Sequence, residues 1–238
     1  MVTPPIIVAL DLGSAGEAVE MARSLEGRVA GFKVGLGLLH GPGPALVGAL
    51  ARVGPVFADA KLHDIPSQVE SAARRLGEYG ARWVTAHASG GAAMLEAAVR
   101  GLAEGTGGSG GILAVTVLTS LAEADTAAAF GRSPGELTSR LARLAGAAGT
   151  EGLVCSPKEL GVVASVAPEL VKVTPGVRPE GTAGGDDQAR VATPADAIAR
   201  GADYLVIGRP ITRAADPVAA AESIAESLTT PRSREGDK

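Results

Sequence analysis

Short β-branched runs alternate with stretches of helical period along nearly the whole chain, and no other feature restricts its fold so strongly. The runs read as strands at Ile6 to Asp11, Gly31 to Val34, Val56 to Lys61, Trp83 to His87, Ile112 to Leu118, Gly152 to Cys155, Leu170 to Thr174 and Tyr204 to Ile207. Most are bounded by turn-forming residues and have strand length. Several are apolar throughout, the pattern of a parallel sheet covered on both faces. Helical periodicity fills Gly16 to Leu25, Gln68 to Tyr79, Ala92 to Ala103, Pro157 to Ser165, Pro194 to Arg200 and Pro217 to Leu228. Pro157, Pro194 and Pro217 stand where helices are expected to start.

Eight such units in 238 residues suit a single (β/α)8 TIM barrel of the α/β class, for which about 250 residues is typical. An open, doubly wound sheet would alternate in the same way, so periodicity alone does not decide between them. The expected barrel domain spans 1–228, and the polar, aperiodic 229–238 reads as a loose tail. Function in a barrel gathers at the carboxyl ends of the strands, which makes charged residues there the deciding observation.

Those ends are charged. Phe57-Ala58-Asp59-Ala60-Lys61-Leu62-His63-Asp64-Ile65-Pro66 carries Asp59 and Lys61 two residues apart, which regular strand alternation puts on one face, with Asp64 in the loop beyond. Asp11 closes the first strand, Lys33 lies in the second and His87 closes the fourth. A surface ion pair plus a helix-capping aspartate would account for the third segment alone. Isolated charges in apolar strands are costly unless paired, so an alternating Lys/Asp network is the economical reading of them all.

Asp59-x-Lys61-x-x-Asp64-Ile65-Pro66, the earlier Lys33, and the later Pro175-Gly176-Val177-Arg178 and Ile207-Gly208-Arg209-Pro210 occur together in the order found in orotidine 5′-monophosphate decarboxylases. The chain resembles that family from Asp11 to Arg209. The resemblance implies a lyase of pyrimidine (UMP) biosynthesis that converts orotidine 5′-monophosphate to uridine 5′-monophosphate without cofactor or metal. Lys33, Asp59, Lys61 and Asp64 would be its catalytic residues, with Lys61 as proton donor. It also implies a cytoplasmic homodimer with shared active sites, Asp64 reaching into the partner's site.

Substrate contacts implied by the same resemblance fall on Asp11, Lys33, Ile65, Gln68, Thr119, Ser120, Pro175, Arg178, Gln188, Gly208 and Arg209. Gln68 departs from the family, in which threonine is frequent at that place. Thr119-Ser120 would read the pyrimidine, although a strand-end Thr-Ser is also a common helix cap. The glycine-rich, polar Pro179 to Arg190 is either a surface loop or the family's mobile loop, with Gln188 on phosphate. Arg209 suits phosphate because its planar fork can donate two parallel hydrogen bonds.

Related sugar-phosphate decarboxylases and aldolases share Asp-x-Lys-x-x-Asp but use a divalent metal held by an acidic residue at the second-strand position. Lys33 separates the two, since an ammonium there would repel the ion. A phospholigand-binding barrel without catalysis is the other alternative. His87 reads as structural, and His40 and His63 show no metal-ligand spacing with it.

A formal charge of −4, with scattered Lys and Arg, provides no basic field for a nucleic-acid partner. Met1 to Leu12 lacks the basic start and cleavage site of a signal peptide. No apolar run approaches the roughly 20 residues of a membrane span. The single Cys155, in an apolar setting, reads as a buried thiol and excludes an intramolecular disulfide.

Overall fold

Eight parallel strands close on themselves in sequence order in the computed structural model, which describes residues 3–179 and 192–229. The strands are β1 (Ile6–Ala9), β2 (Gly31–Val34), β3 (Val56–Leu62), β4 (Ala81–His87), β5 (Gly111–Val115), β6 (Gly152–Val154), β7 (Val171–Pro175) and β8 (Tyr204–Ile207). Pairing of β1 with β8 completes the ring. This is the expected barrel, and it excludes the open sheet.

Around it run α1 (Ala15–Ser24), α2 (Leu36–His40), α3 (Ala45–Leu50), α4 (Pro66–Glu78), α5 (Ala92–Thr106), α6 (Glu123–Phe130), α7 (Pro134–Ala147), α8 (Leu160–Val166), α9 (Pro194–Ala199), α10 (Arg209–Thr212) and α11 (Pro217–Thr229). Local chemistry sets several starts. The Ser14 hydroxyl accepts from the Glu17 N–H at 3.2 Å, and Thr193 accepts from the Asp196 N–H at 3.1 Å. Ser133 and Glu136 cap each other reciprocally before Pro134 opens α7.

Four sequence readings need correction. β1 ends at Ala9, so Asp11 lies beyond the strand, and β5 ends at Val115 rather than Leu118. Both apolar runs continue into loops that remain buried at Leu10 and Val117, and composition alone cannot separate a buried loop from a strand. Pro157 falls in a turn; α8 starts three residues later, after Glu159 accepts from the Ser156 N–H at 3.0 Å. The expected tail overlaps the helix at Thr229, while 230–238 fall outside the described residues.

Two apolar layers follow from strand alternation. Ile6, Val8, Phe32, Val34, Ala58 and Val84 belong to the large core between sheet and helices. Ile7, Ala9, Phe57, Trp83, Leu113, Val173 and Val206 form a second cluster, which fills the barrel interior. Outside, α4 and α5 pack closely: a side chain at Gly101 or Gly105 of α5 would collide with the backbone carbonyls of Glu70 and Arg74 of α4.

Candidate active site

Stepping up the barrel interior from its apolar floor, the next inward positions are polar on neighbouring strands. In-register pairs Ala9↔Lys33, Lys33↔Phe57 and Phe57↔Trp83 place Lys33, Asp59 and Thr85 at adjacent heights, with Asp11 just beyond β1. Their charges alternate in a chain. Lys33 Nζ lies 3.2 Å from Asp11 Oδ1 and 3.6 Å from Asp59 Oδ2, and Lys61 Nζ lies 2.7 Å from Asp59 Oδ2. Asp59 and Lys33 are buried, Lys61 is partly buried and Asp11 is exposed. Buried charges held this way satisfy one another and resist the reorganisation that water would impose.

Regular alternation does not bring Lys61 to Asp59. The β3–β4 register shifts between Ala58 and Leu62, so that Asp59, Ala60 and Lys61 lie opposite Thr85 alone. Within this bulge Lys61 takes φ of +48°, the one positive value at a non-glycine position among the described residues. Such a backbone costs about 1–2 kcal/mol for a residue with a Cβ, and strain of this kind gathers at functional sites. The expected meeting of the two side chains is correct; a bulge produces it.

Asp64 does not join the other charges of its own chain. It is exposed, its Oδ1 accepts from the Ile65 N–H at 2.7 Å, and it makes no ion pair among the described residues. Nor is it a helix cap, because Ile65 occupies the N-cap position of α4. Ile65 is 62% exposed and Gln68 is exposed in the first turn of the same helix.

The remaining candidates separate into two groups. Thr119 and Ser120 are exposed in a turn after β5, and α6 begins from Ala122, so the capping alternative for the Thr-Ser pair is excluded. Pro175 ends β7, Gly208 follows β8 and Arg209 opens α10, which puts all three on the same barrel rim as Asp59. Arg178 donates its N–H to the Ala192 carbonyl at 3.1 Å, and Val177 bridges Ala192. The chain therefore leaves and re-enters the rim at one point. Gln188 and most of the expected mobile loop lie outside the described residues.

Three participants were missed in the sequence. Thr85, fully buried, donates to Asp59 Oδ1 at 3.0 Å and accepts from the Lys61 N–H at 2.8 Å. Gly35 leaves room for the Asp11–Lys33 pair: a Cβ there would stand 2.8 Å from Asp11 Oδ1 and 3.1 Å from Lys33 Nζ. His63 stacks obliquely on His87 with ring centroids 5.4 Å apart. Burial lowers the His87 pKa below its ordinary value, and the neighbouring His63 and Lys61 lower it further, which favours the neutral ring. No spacing rule signals any of the three; a threonine in a strand reads as ordinary β-branched filler.

Cys155 is buried, as expected, and desolvation pushes its thiol up to about 12, which keeps it protonated and unreactive. A hollow of about 920 Å³ opens at the opposite, amino-terminal end of the barrel. The charges lining it are paired among neighbours. Arg82 makes two 2.7 Å bonds to Glu151, which also accepts from Trp83 Nε1 at 2.9 Å, and Asp203 accepts from the Lys172 N–H at 2.7 Å. The alternating network at the carboxyl end is the better candidate for chemistry.

The family model described as orotidine 5′-phosphate decarboxylase / HUMPS family matches residues 4–224. An orotidine 5′-phosphate decarboxylase of Anaeromyxobacter sp. (strain K) is 52% identical over 226 residues, covering 94% of this chain and 97% of the relative. That of Thermobifida fusca (strain YX) is 50% identical over 228 residues, covering 94% and 95%. Among solved structures, orotidine 5′-phosphate decarboxylase from Lactobacillus acidophilus superposes with a TM-score of 0.83 at 33% identity, covering 95% of this chain and all of that one. An uncharacterized conserved protein from Geobacillus kaustophilus reaches 0.82 at 36% identity, covering 94% of this chain and all of its own.

Proposed function

Because this chain belongs to the orotidine 5′-phosphate decarboxylase / HUMPS family, we propose that it converts orotidine 5′-monophosphate to uridine 5′-monophosphate and CO₂ without a metal. The observation that carries this reading is Lys33, whose ammonium sits between Asp11 and Asp59. In a metal-dependent relative, that space between carboxylates would serve a divalent cation; here a fixed positive charge already fills it. The network then orients Lys61 rather than a metal-bound substrate.

In the proposed reaction the bond from C6 to the carboxylate breaks, CO₂ departs and the electron pair remains on C6. Lys61 stabilises that developing charge, then transfers an ammonium proton to C6 and is reprotonated by solvent. Asp59 holds Lys61 ionised and aimed. Asp59 would also face the departing carboxylate, where like-charge repulsion raises the ground state, a smaller contribution than preorganisation. Lys33 and Asp11 would hold the ribose, Thr119 and Ser120 the pyrimidine edge, and Ile65 and Gln68 would complete the site from the α4 side. Pro175, Arg178, Gln188, Gly208 and Arg209 would surround the phosphate, a remote group whose binding assembles the reactive state.

A homodimer with shared sites completes the proposal. Asp64 lies outside the charge network of its own chain, beside the exposed Ile65. Both features suit a loop that enters a neighbouring site.

The test is an ultraviolet assay of purified protein with orotidine 5′-monophosphate, with and without EDTA. Equal turnover in both is expected. No turnover by folded protein would sink the assignment, and turnover abolished by EDTA and restored by a divalent metal would favour the metal-dependent reading. Arg209→Ala should lower kcat/KM by roughly 1.5–3 kcal/mol through loss of a charge-assisted phosphate contact. Its effect on the substrate lacking phosphate should be much smaller; equal penalties on both would place the damage in the fold.

A further inference from the structure

The hydroxyl of Thr85 is the only side-chain group on β4 that bonds both to the bulged backbone of Lys61 and to the carboxylate of Asp59 among the described residues. Its polarity is fixed by chemistry. A backbone N–H can only donate, so Thr85 Oγ1 accepts from Lys61 at 2.8 Å, and its own proton is directed to Asp59 Oδ1 at 3.0 Å. That leaves Asp59 Oδ2 facing the ammonium groups, 2.7 Å from Lys61 and 3.6 Å from Lys33. One hydroxyl thus sets the rotation of the carboxylate and anchors the amide of the residue that the carboxylate orients.

The bulge explains why a side chain is needed. Where Asp59, Ala60 and Lys61 oppose one residue, the regular ladder of the sheet is interrupted. The Lys61 N–H then finds its partner in a side chain. A buried donor without an acceptor would cost about 1–3 kcal/mol, and Lys61 already bears the strain of φ at +48°. Thr85 is fully buried and β-branched, so its rotamer is restricted and the hydroxyl direction well defined.

We propose that Thr85 is a positioning residue for the decarboxylation: it acts through Asp59 and the Lys61 backbone to aim the Lys61 ammonium and does not touch substrate. The proposal deepens the decarboxylase reading and rests on it. Thr85→Val retains the shape while removing both bonds; Thr85→Ser retains the hydroxyl.

In folded protein, Thr85→Val should lower kcat by about tenfold to a hundredfold with KM changed less than about threefold, the scale of a lost hydrogen bond to a charged group. Thr85→Ser should recover kcat to within about threefold of wild type, because the hydroxyl can make the same two bonds. Hydrogen exchange at the Lys61 amide gives a reading independent of turnover: exchange should accelerate in Thr85→Val and stay slow in Thr85→Ser.

A valine variant with wild-type kcat overturns the proposal, as does a serine variant as impaired as valine, or a rise in KM matching the fall in kcat. If valine does not fold, Thr85→Ala supplies the same comparison. Failure of both to fold while serine folds would make the hydroxyl structural and also overturn the proposal. If the two variants show the expected exchange pattern but wild type shows no turnover, the decarboxylase reading fails while the hydrogen-bond geometry stands.

Discussion

Lys61→Ala should lower kcat by roughly four orders of magnitude or more, the product of about 10²–10⁴ for proton donation and about 10²–10³ for electrostatic stabilisation. Two roles are lost with one ammonium, which makes this the largest single-residue effect expected. The fold should survive. Alanine has the same Cβ as lysine at φ of +48°, so the backbone strain is unchanged. Removal of the 2.7 Å partner still leaves Asp59 with Thr85 and Lys33. Thermal melts and binding of uridine 5′-monophosphate, whose proposed phosphate contacts are assigned elsewhere on the rim, should stay close to wild type. Near-normal turnover would exclude Lys61 as the proton donor; loss of phosphate binding would show a collapsed site.

The second large effect is a recovery. Asp64→Ala and Lys61→Ala should each be nearly inactive as homodimers, and mixing them under conditions of subunit exchange should restore activity. In a mixed dimer one site receives both lesions, while the other joins Lys61 from one chain with Asp64 from its partner. Random exchange makes half the dimers mixed and restores half of their sites, so activity should approach about one quarter of wild type for independent sites in a twofold dimer. Demonstrated exchange without recovery would refute the shared site and return Asp64 to its own chain.

The first expectation rests on a residue that the sequence exposes as a charge in an apolar strand, and the second adds Asp64 from the loop that follows it. Lys172 shows the limit of that signal. It too is a buried lysine in a strand, but it lies out of step with the inward-facing Val171 and Val173, and its Nζ donates to the carbonyls of Pro168 and Leu170 at 3.1 and 2.8 Å. Side-chain parity, which depends on where each strand starts, separates Lys33 from Lys172; composition does not. Parity itself fails at β3, where a bulge rather than regular alternation brings Lys61 to Asp59.

What was not legible depended on contacts between distant segments. Thr85 acts from the neighbouring strand, Gly35 acts by having no side chain beside Asp11 and Lys33, and His63 meets His87 only once β3 and β4 pair. The alternation of strands and helices was legible because their periods are local, whereas the closed barrel was legible only through the charged strand ends and the motifs they carry. The short α2 and α3, and α6 between β5 and β6, were not read because short Ala- and Gly-rich segments carry little contrast between faces, whereas α7 was overlooked although Ser133-x-x-Glu136 and the helical spacing of Leu137, Leu141 and Leu144 mark it.

The close seating of α4 on α5 bears on the entropy of association. Glycines at 101 and 105 let the two helix backbones approach, and a larger side chain there would collide with carbonyls of α4. The Asp64–Ile65 turn is mounted directly on the first turn of that tightly held helix. Its orientation is therefore set before any encounter. In the proposed shared-site dimer, a loop that arrives ordered would forfeit little conformational freedom on docking, so more of its contact energy would remain to prolong the life of the complex.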